Sequence, residues 1–474
     1  MFSPLQPFVY LLAYLAVQYI RPQDYLPALM GVPLLQILLV PACAFWLARQ
    51  PKNFEASQHR MLLALLLLMA LSVALTGWMG GVVQVLGDFG PTMLLFYLVA
   101  TSVDSLARLR AIFGLLSVAA CVMALHGISQ MGNEQGIGWT GTKMTDGRIT
   151  YLGFLNDPND LAMSLLMTLP MCLHLAGRSQ SFLLRWAMRA AGLLIMYGVF
   201  LTNSRGAILG LGAMLLVFGI GRYGLWRALI VVPLLAAPLL ALAPSRIGEI
   251  SADEDSAAGR VEAWYEGFQM LRAHPLFGVG KGLFTEHHYL TAHNSYMLAL
   301  AELGLVGYFV WLSIIVLTVI MLLVILRLGR SERTETVAAP AVPLPSGPLP
   351  RSTPVVRHGA ATNVSETPCV TSASVGFPDT DTGLTGVDTW AECLHATSTL
   401  LYGMVAALVC AFFLSRSYAV NLYLQMALVV ALYQLIRAKW PQKLQVSFGP
   451  IWRKLLAGSM GSVLVLWVVT RVLL

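Results

Sequence analysis

Residues 290–309 read LTAHNSYMLALAELGLVGYF, and within them the chain passes from a polar cluster into a long apolar segment. The apolar segment continues to about residue 326, and a helix of about 20 such residues crosses the hydrocarbon core of a bilayer. We therefore predict a membrane-spanning helix over about 303–326, with His293, Asn294 and Ser295 at its entrance.

The composition extends this interpretation to the whole chain. Its 474 residues are 57% hydrophobic and only 11% charged, whereas soluble domains carry about 25% charged residues. Apolar runs long enough to span a bilayer recur from end to end, unlike the alternating segments of about ten residues that build a β-barrel. The sequence predicts an all-α, polytopic integral membrane protein with about 12–13 transmembrane helices, the first of which is retained.

Predicted spans follow the apolar runs. They lie near 5–20, 33–48, 61–79, 84–101, 109–128, 159–176, 187–203, 206–221, 226–243, 303–326, 397–415, 418–436 and 455–473. Lysine and arginine cluster in alternate loops, and cytoplasmic loops are the basic ones. This alternation predicts a cytoplasmic N-terminus in a bacterial inner (cytoplasmic) membrane, with periplasmic loops at about 129–158 and 244–292.

Five regions follow from this topology. We predict an N-terminal transmembrane bundle (1–243), a helical periplasmic loop with the start of the motif helix (244–302) and one transmembrane helix (303–330). Residues 331–394 are rich in Pro, Thr, Ser and Val without periodicity, which predicts a disordered cytoplasmic insert. Residues 395–474 then form the C-terminal transmembrane helices.

Two arginines stand in very short turns on the predicted periplasmic side. Arg205 lies in LTNSRGAILG, and Arg416 lies in LSRSYAV. Each is either a snorkelling side chain that anchors a helix end or a guanidinium presented to an anionic group such as a lipid phosphate.

Arg260 lies in a segment with helical periodicity. The hydrophobic residues Val261, Trp264, Phe268 and Leu271 recur on one face, which predicts an amphipathic helix along the membrane interface. Arg260 is either paired with the acidic run Asp253, Glu254 and Asp255 or available to an anionic substrate. Further upstream, Asn156 to Asp160 read NDPND, which is typical of a turn and a helix N-cap.

Three interpretations of His293 remain open. It is a helix cap, a metal ligand together with His287 and His288, or a general base. Asn294 or Ser295 would cap the helix better, and the histidine spacing is not typical of zinc sites. With an unperturbed pKa of about 6.5, a histidine is neutral and basic near pH 7. No metal site is predicted, and no basic stripe interleaved with aromatics suggests a nucleic-acid partner.

The motif at 293–307 resembles a known family. His293 and Asn294 are followed after nine residues by Gly304 and, after two more, by Gly307. This pattern, with the preceding AHPLFGVGKGLF and the upstream TNSRGA and GRVEAW, is similar to the O-antigen ligase and polymerase superfamily.

The resemblance implies an inverting, metal-independent glycosyltransferase without a cofactor. Its partners would be an undecaprenyl-diphosphate-linked glycan, membrane lipid, and an acceptor glycan or lipid A core. By position, His293 would act on the acceptor hydroxyl, while Arg205 and Arg260 would bind the diphosphate. Asn294 and Arg416 are further substrate-binding candidates. The long insert and the number of spans depart from the family pattern.

Several functions remain open within and outside this family. The acceptor is lipid A core in a ligase, another repeat unit in a polymerase, or a protein hydroxyl; the lack of an extended acceptor-binding domain favours a polymerase. The rival class is a polysaccharide or lipid-linked sugar transporter or flippase, which would place paired ionisable groups near the bilayer midplane. A non-enzymatic membrane scaffold would not need arginines in short external turns.

Overall fold

A computed structural model describes residues 6–48, 52–133, 135–242, 250–338, 387–440 and 444–474. Of the described residues, 79% are helical, and in these ranges the only β-type pairing is two isolated bridges within residues 137–148. The predicted all-α class is confirmed.

The described residues form sixteen α-helices. They are α1 (Pro7–Ile20), α2 (Pro22–Tyr25), α3 (Leu34–Ala48), α4 (Ser57–Ala74), α5 (Met79–Ser102), α6 (Leu106–Gln130), α7 (Pro158–Arg178), α8 (Phe182–Leu201), α9 (Arg205–Tyr223), α10 (Leu225–Leu242), α11 (Ile250–Ala273), α12 (Phe284–His287), α13 (Ser295–Ala338), α14 (Val387–Ala411), α15 (Val420–Lys439) and α16 (Phe448–Leu473). Short 3₁₀ turns lie at Pro27–Leu29 and Gly153–Leu155.

Ten of the described helices are long and apolar enough to cross a membrane: α4 to α9 and α13 to α16. Helix α3 and the segment Leu225–Leu234 of α10 are shorter apolar helices. Every predicted span overlaps one of these helices or α1. The chain is a polytopic helical membrane protein.

Burial separates central from peripheral helices. Most of α7 and α15 is buried inside the bundle, whereas only 22% of the membrane-spanning part of α8, α9 or α16 is buried. Leu193 of α8 and Val472 of α16, for example, are 74% and 78% exposed. Exposed apolar side chains of this kind suit contact with lipid tails, which are as apolar as the side chains themselves.

The ends of the predicted insert are helical, so its boundaries at 331 and 394 were too wide. Helix α13 continues to Ala338 and α14 begins at Val387. Tertiary packing explains the early start of α14: the rings of Trp390 and Trp440 lie 4.6 Å apart, and Leu394 fills the space left by the absent Cβ of Gly329. The middle of the predicted insert, 339–386, lies outside the described residues.

Candidate active site at the break in helix α13

Helix α13 is interrupted at Gly304, the first glycine of the motif. Gly304 has a φ of 62° and a ψ of −169°, which a residue without Cβ adopts without steric cost. A Cβ there would lie only 2.5 Å from the carbonyl carbon of Leu276. The chain before α12 fills the break, since the amide of Leu305 donates to the carbonyl of Pro275 at 2.9 Å. Glycine is therefore required at this position by close backbone packing.

The glycine-rich loop at 278–282 packs against the residues of α13 that come just before the break. The amides of Val279 and Gly280 donate to the carbonyls of Ala301 and Glu302, each at 3.0 Å. A Cβ on Gly278, whose φ is 70°, would lie 2.4 Å from the carbonyl carbon of Glu302. The loop and the first two turns of α13 thus form one backbone-bonded unit that carries His293.

His293, which lies between the glycine-rich loop and α13, has an unusual backbone conformation. Its φ of 47° lies in the left-handed region, which costs about 1–3 kcal/mol for a residue other than glycine unless its surroundings fix it. The helix cap is Asn294, whose Oδ1 accepts hydrogen bonds from the amides of Tyr296 (2.9 Å) and Met297 (3.1 Å). The expectation that a neighbour caps α13 is confirmed, so the His293 imidazole is not used as a cap.

Asn294, predicted to bind substrate, is completely buried. The cap engages its oxygen, and its Nδ2 has no hydrogen-bond partner within the part of the chain that the structure describes. One polar group beside His293 therefore retains a donor that no described residue satisfies.

Both flanks of His293 are bonded to residues 412–419, the connection between α14 and α15, which we call the 412–419 turn. The Thr291 hydroxyl donates to the Ser415 hydroxyl at 2.9 Å, and the amide of Arg416 donates to Ser295 Oγ at 2.9 Å. These contacts over-determine the strained backbone of His293, as is typical of functional sites.

Helix α11 brings Arg260 to this position. Buried Trp264 donates from Nε1 to the carbonyl of Ala292 at 2.8 Å, and its ring packs edge-on against Phe412 with centroids 5.5 Å apart. Arg260 lies one helical turn earlier, on the same face as Trp264. The apolar face of α11 is covered by α13: a Cβ on Gly267 would lie 2.8 Å from the sulfur of Met297.

Arg260 is half-buried, and no described carboxylate lies in salt-bridge distance of it. The side chains of Asp253, Glu254 and Asp255, which the sequence offered as alternative partners, lie outside the described part of the chain.

Arg205 borders the same turn from helix α9. It is exposed and is the first residue of α9, whose N-cap is Ser204, with Oγ accepting from the amide of Ala207 at 3.3 Å. The next residue, Gly206, packs against Phe413, where a Cβ would lie 3.2 Å from the Phe413 Cβ. The structure therefore brings Arg205, Arg260 and His293 to the margins of one short connection.

The charges around His293 set its protonation. Burial lowers the pKa of His293 below its usual value, the positive charge of Arg260 lowers it further, and the carboxylate of Asp157 opposes both. The imidazole is therefore neutral at pH 7 and able to accept a proton. Asp157 is the N-cap of α7, with Oδ1 accepting from the amide of Asn159 at 2.7 Å, so the predicted turn and cap are confirmed.

Arg416 differs from the other two arginines. Its Nε donates to both carboxylate oxygens of Asp160, at 2.7 and 2.8 Å, and its terminal nitrogen also contacts Asp160. Asp160 is 2% exposed. The hydrogen bonds to Asp160 raise the pKa of Arg416. Arg416, predicted to bind substrate, is engaged in an ion pair with a buried carboxylate 256 residues away in sequence.

A fourth arginine near the site was not predicted. Arg148 donates from Nε to the carbonyl of Thr202 at 2.8 Å and from its terminal nitrogen to Asn159 Oδ1 at 2.7 Å. It thereby connects the start of α7 with the turn that carries Arg205. Nothing in the local sequence around residue 148 distinguishes it from other loop cations.

The histidines at 287 and 288 do not converge on His293 in a ligand set. In the described ranges, no three His, Cys, Asp or Glu side chains are grouped so that they could hold a metal ion. His288 Nδ1 lies 3.0 Å from the carbonyl oxygen of Leu290 in its own loop.

Comparison with known proteins identifies the segment that holds these residues. Residues 190–312 match the family model of the O-antigen ligase domain. This match supports the predicted resemblance to the O-antigen ligase and polymerase superfamily. The matched segment contains Arg205, Arg260, His293 and the break at Gly304. Among curated proteins, none matches the chain. The matched segment supports a membrane enzyme of the glycan ligase or polymerase type.

Proposed function

We propose that the protein transfers or polymerises glycan from an undecaprenyl-diphosphate carrier onto an acceptor hydroxyl, with His293 as the general base. The observation that carries this proposal is the placement of Arg260 beside a neutral His293. Trp264 fixes α11 to the residue before His293, and the charge of Arg260 lowers the pKa of the imidazole. A base and a cation at one place are what this transfer requires.

The proposed reaction is a direct displacement that inverts the anomeric carbon. The acceptor oxygen bonds to the anomeric carbon while the bond from that carbon to the diphosphate oxygen breaks. The acceptor proton passes to the imidazole of His293, and the diphosphate leaves with the electron pair. A positioned base contributes about 10²–10⁴-fold in rate.

Arg260 and Arg205 would stabilise the leaving diphosphate. A guanidinium binds phosphate oxygens in a bidentate fork, and one well-placed donor to a developing anion contributes about 3–4 kcal/mol. Because the diphosphate is already an activated leaving group, the proposed reaction needs no metal ion. Asn294 Nδ2, the unsatisfied donor beside the base, is a further group that could contact substrate.

We place this site at the periplasmic face of the bacterial inner membrane, on the evidence of the basic loops on the opposite side. A green fluorescent reporter inserted near residue 360 should fluoresce, because that side is predicted to be cytoplasmic. A phosphatase reporter at the same position should be inactive. An active phosphatase and a dark fluorescent fusion would reverse the orientation and the proposed face.

Transfer by purified protein tests the mechanism. His293→Ala should fold normally and lose about 10²–10⁴-fold in rate, and Arg205→Ala or Arg260→Ala should each lose about 10²–10³-fold. Arg205→Lys should recover only part of that loss, since an ammonium does not reproduce bidentate contact. The matched control is His287→Ala, which removes an exposed histidine from the same loop and should leave the rate unchanged.

The substrates and additives of this assay separate the alternatives. Lipid A core and carrier-linked repeat units, supplied in parallel as acceptors, distinguish a ligase from a polymerase. Near-native turnover in His293→Ala, or inhibition by EDTA that zinc or magnesium reverses, would contradict the mechanism. Movement of carrier-linked glycan across vesicle membranes without transfer would favour the flippase alternative.

A further inference from the structure

A cavity of about 320 Å³ is lined in part by the 412–419 turn, and its lining residues do not include Arg205 or Arg260. We call it the acidic cavity. It lies among the end of α1, the first half of α5, the start of α7 and the start of α15. The residues that the argument uses are Gln18, Asp88, Thr92, Phe154, Asp160 and Tyr418.

The acidic cavity offers hydrogen-bonding groups and aromatic rings together. Asp88 and Asp160 contribute carboxylates, and Phe154 and Tyr418 contribute rings. Within the described residues, the side chains of Gln18 and Thr92 make no hydrogen bond to other protein groups, although Thr92 is only 9% exposed. Small-molecule sites have this composition, and their volumes begin at about 300 Å³.

The charges of the acidic cavity are internally balanced. Asp160 is paired with Arg416, and Asp88 accepts from Lys281 Nζ at 3.0 Å. No excess of positive charge remains to attract a phosphate. Carboxylates and amides that bond hydroxyl groups, beside rings that cover C–H surfaces, suit a neutral sugar ring instead.

The wall of the cavity is bonded to the flanks of His293. Ser415 and Arg416 line the cavity, and they also form the hydrogen bonds to Thr291 and Ser295 described above. A ligand in the cavity therefore adjoins the segment that holds the proposed base.

We propose that the acidic cavity binds a neutral pyranose unit of the acceptor glycan and orients its hydroxyl toward His293. This proposal rests on the proposed function, which it extends by separating the acceptor site from the diphosphate site. Donor and acceptor would then contact different sets of residues around the 412–419 turn.

Saturation-transfer NMR on the purified full-length protein tests this site directly. The probes are the methyl glycosides of glucose, galactose, mannose and N-acetylglucosamine. At least one should receive saturation from the unmodified protein, and Thr92→Trp, which fills the cavity, should weaken that signal by about tenfold or more. The control is Val83→Trp on the same helix, where the side chain is 71% exposed; it should leave the signal unchanged.

A second variant guards against misfolding. If Thr92→Trp lowers the melting temperature, Gln18→Leu removes one unsatisfied amide with little change in volume and should weaken the same signal. Failure of all four glycosides to bind, or equal binding by Thr92→Trp in a folded protein, would overturn the proposal.

Binding of undecaprenyl diphosphate, measured in parallel, tests the proposed function separately. The unmodified protein and Thr92→Trp should bind it equally, and Arg260→Ala should bind it more weakly. Glycoside binding without undecaprenyl diphosphate binding would contradict the proposed donor, whereas the reverse result would contradict the acceptor site alone.

Discussion

Two arginines near the 412–419 turn, Arg260 and Arg416, are in opposite states, and we refer to their surroundings as the two sides of the turn. On one side, Arg260 lies beside His293 with no described carboxylate in salt-bridge distance. On the other, Arg416 binds both oxygens of a buried aspartate. The sequence places Arg205 and Arg416 in equally short turns, and nothing local distinguishes their roles. The difference between Arg260 and Arg416 indicates that the ion-pair partner decides whether an arginine is available to substrate.

This difference gives each side its own ligand chemistry. A cation with no carboxylate partner among the described residues attracts an anionic leaving group, and low-dielectric surroundings strengthen the attraction. A neutralised guanidinium instead fixes the wall of a cavity without attracting anions. The positions of the carboxylates therefore decide which ligand each arginine suits. Arg260 suits a charged diphosphate, whereas Arg416, paired with Asp160, lines a cavity that suits a neutral sugar.

The largest effect that separates the two sides should be on stability. Arg416→Met leaves the buried Asp160 without its partner. Breaking a fully buried ion pair from one side costs about 3–5 kcal/mol, and the 44% exposure of the Arg416 side chain makes the cost here smaller. The melting temperature in detergent should fall clearly. The double variant Arg416→Met with Asp160→Asn removes the stranded charge and should recover much of the loss.

The matched control for this prediction is Arg260→Met. It leaves no described carboxylate behind, so its effect on stability should stay within about 0.5 kcal/mol, although transfer is lost. Equal melting temperatures for Arg416→Met and Arg260→Met would show that the ion pair does not distinguish the two sides.

The fold was largely predictable because its signals are local. Each span is a continuous apolar run, and a helix satisfies its own backbone hydrogen bonds within one segment, as a bilayer demands. The ends of α13 and α14 were harder to place. Trp390 and Leu394 lie in a polar stretch, and only packing against Trp440 and Gly329 reveals that they are helical and partly buried.

The site was predictable only in part. The motif spacing indicated His293, and the capping preference of asparagine correctly separated Asn294 from it. The ion pair between Arg416 and Asp160 was not predicted, because 256 residues separate the two in sequence. The sequence around Asp160 indicated only a turn and the start of a helix. The motif marked Gly304 as important in the sequence. The reason that glycine is required there is a tertiary contact, because the backbone of residues 275–278 packs into the break in α13.

The smallest expected effect concerns the pH dependence of transfer, and it tests which charges act on His293. The neutral imidazole is the proposed base, so the rate should rise with pH as His293 loses its proton. Burial and Arg260 lower the pKa of His293, which places this rise below pH 6.5, the usual value. The carboxylate of Asp157 acts in the opposite direction and raises that pKa.

Asp157→Asn removes this one opposing charge and preserves the helix cap, since asparagine and aspartate cap helices about equally well. The pKa of His293 should then fall further, and the acidic limb of the pH–rate profile should move to lower pH while the plateau near pH 7 stays unchanged. Glu286→Gln, which neutralises an exposed carboxylate of the same loop, should leave the limb where it is. A limb that moves to higher pH in Asp157→Asn, or one that ignores the substitution, would mean that a group other than His293 accepts the proton. In that case Arg205 and Arg260 would remain the proposed diphosphate-binding residues, but His293 would no longer be the proposed base.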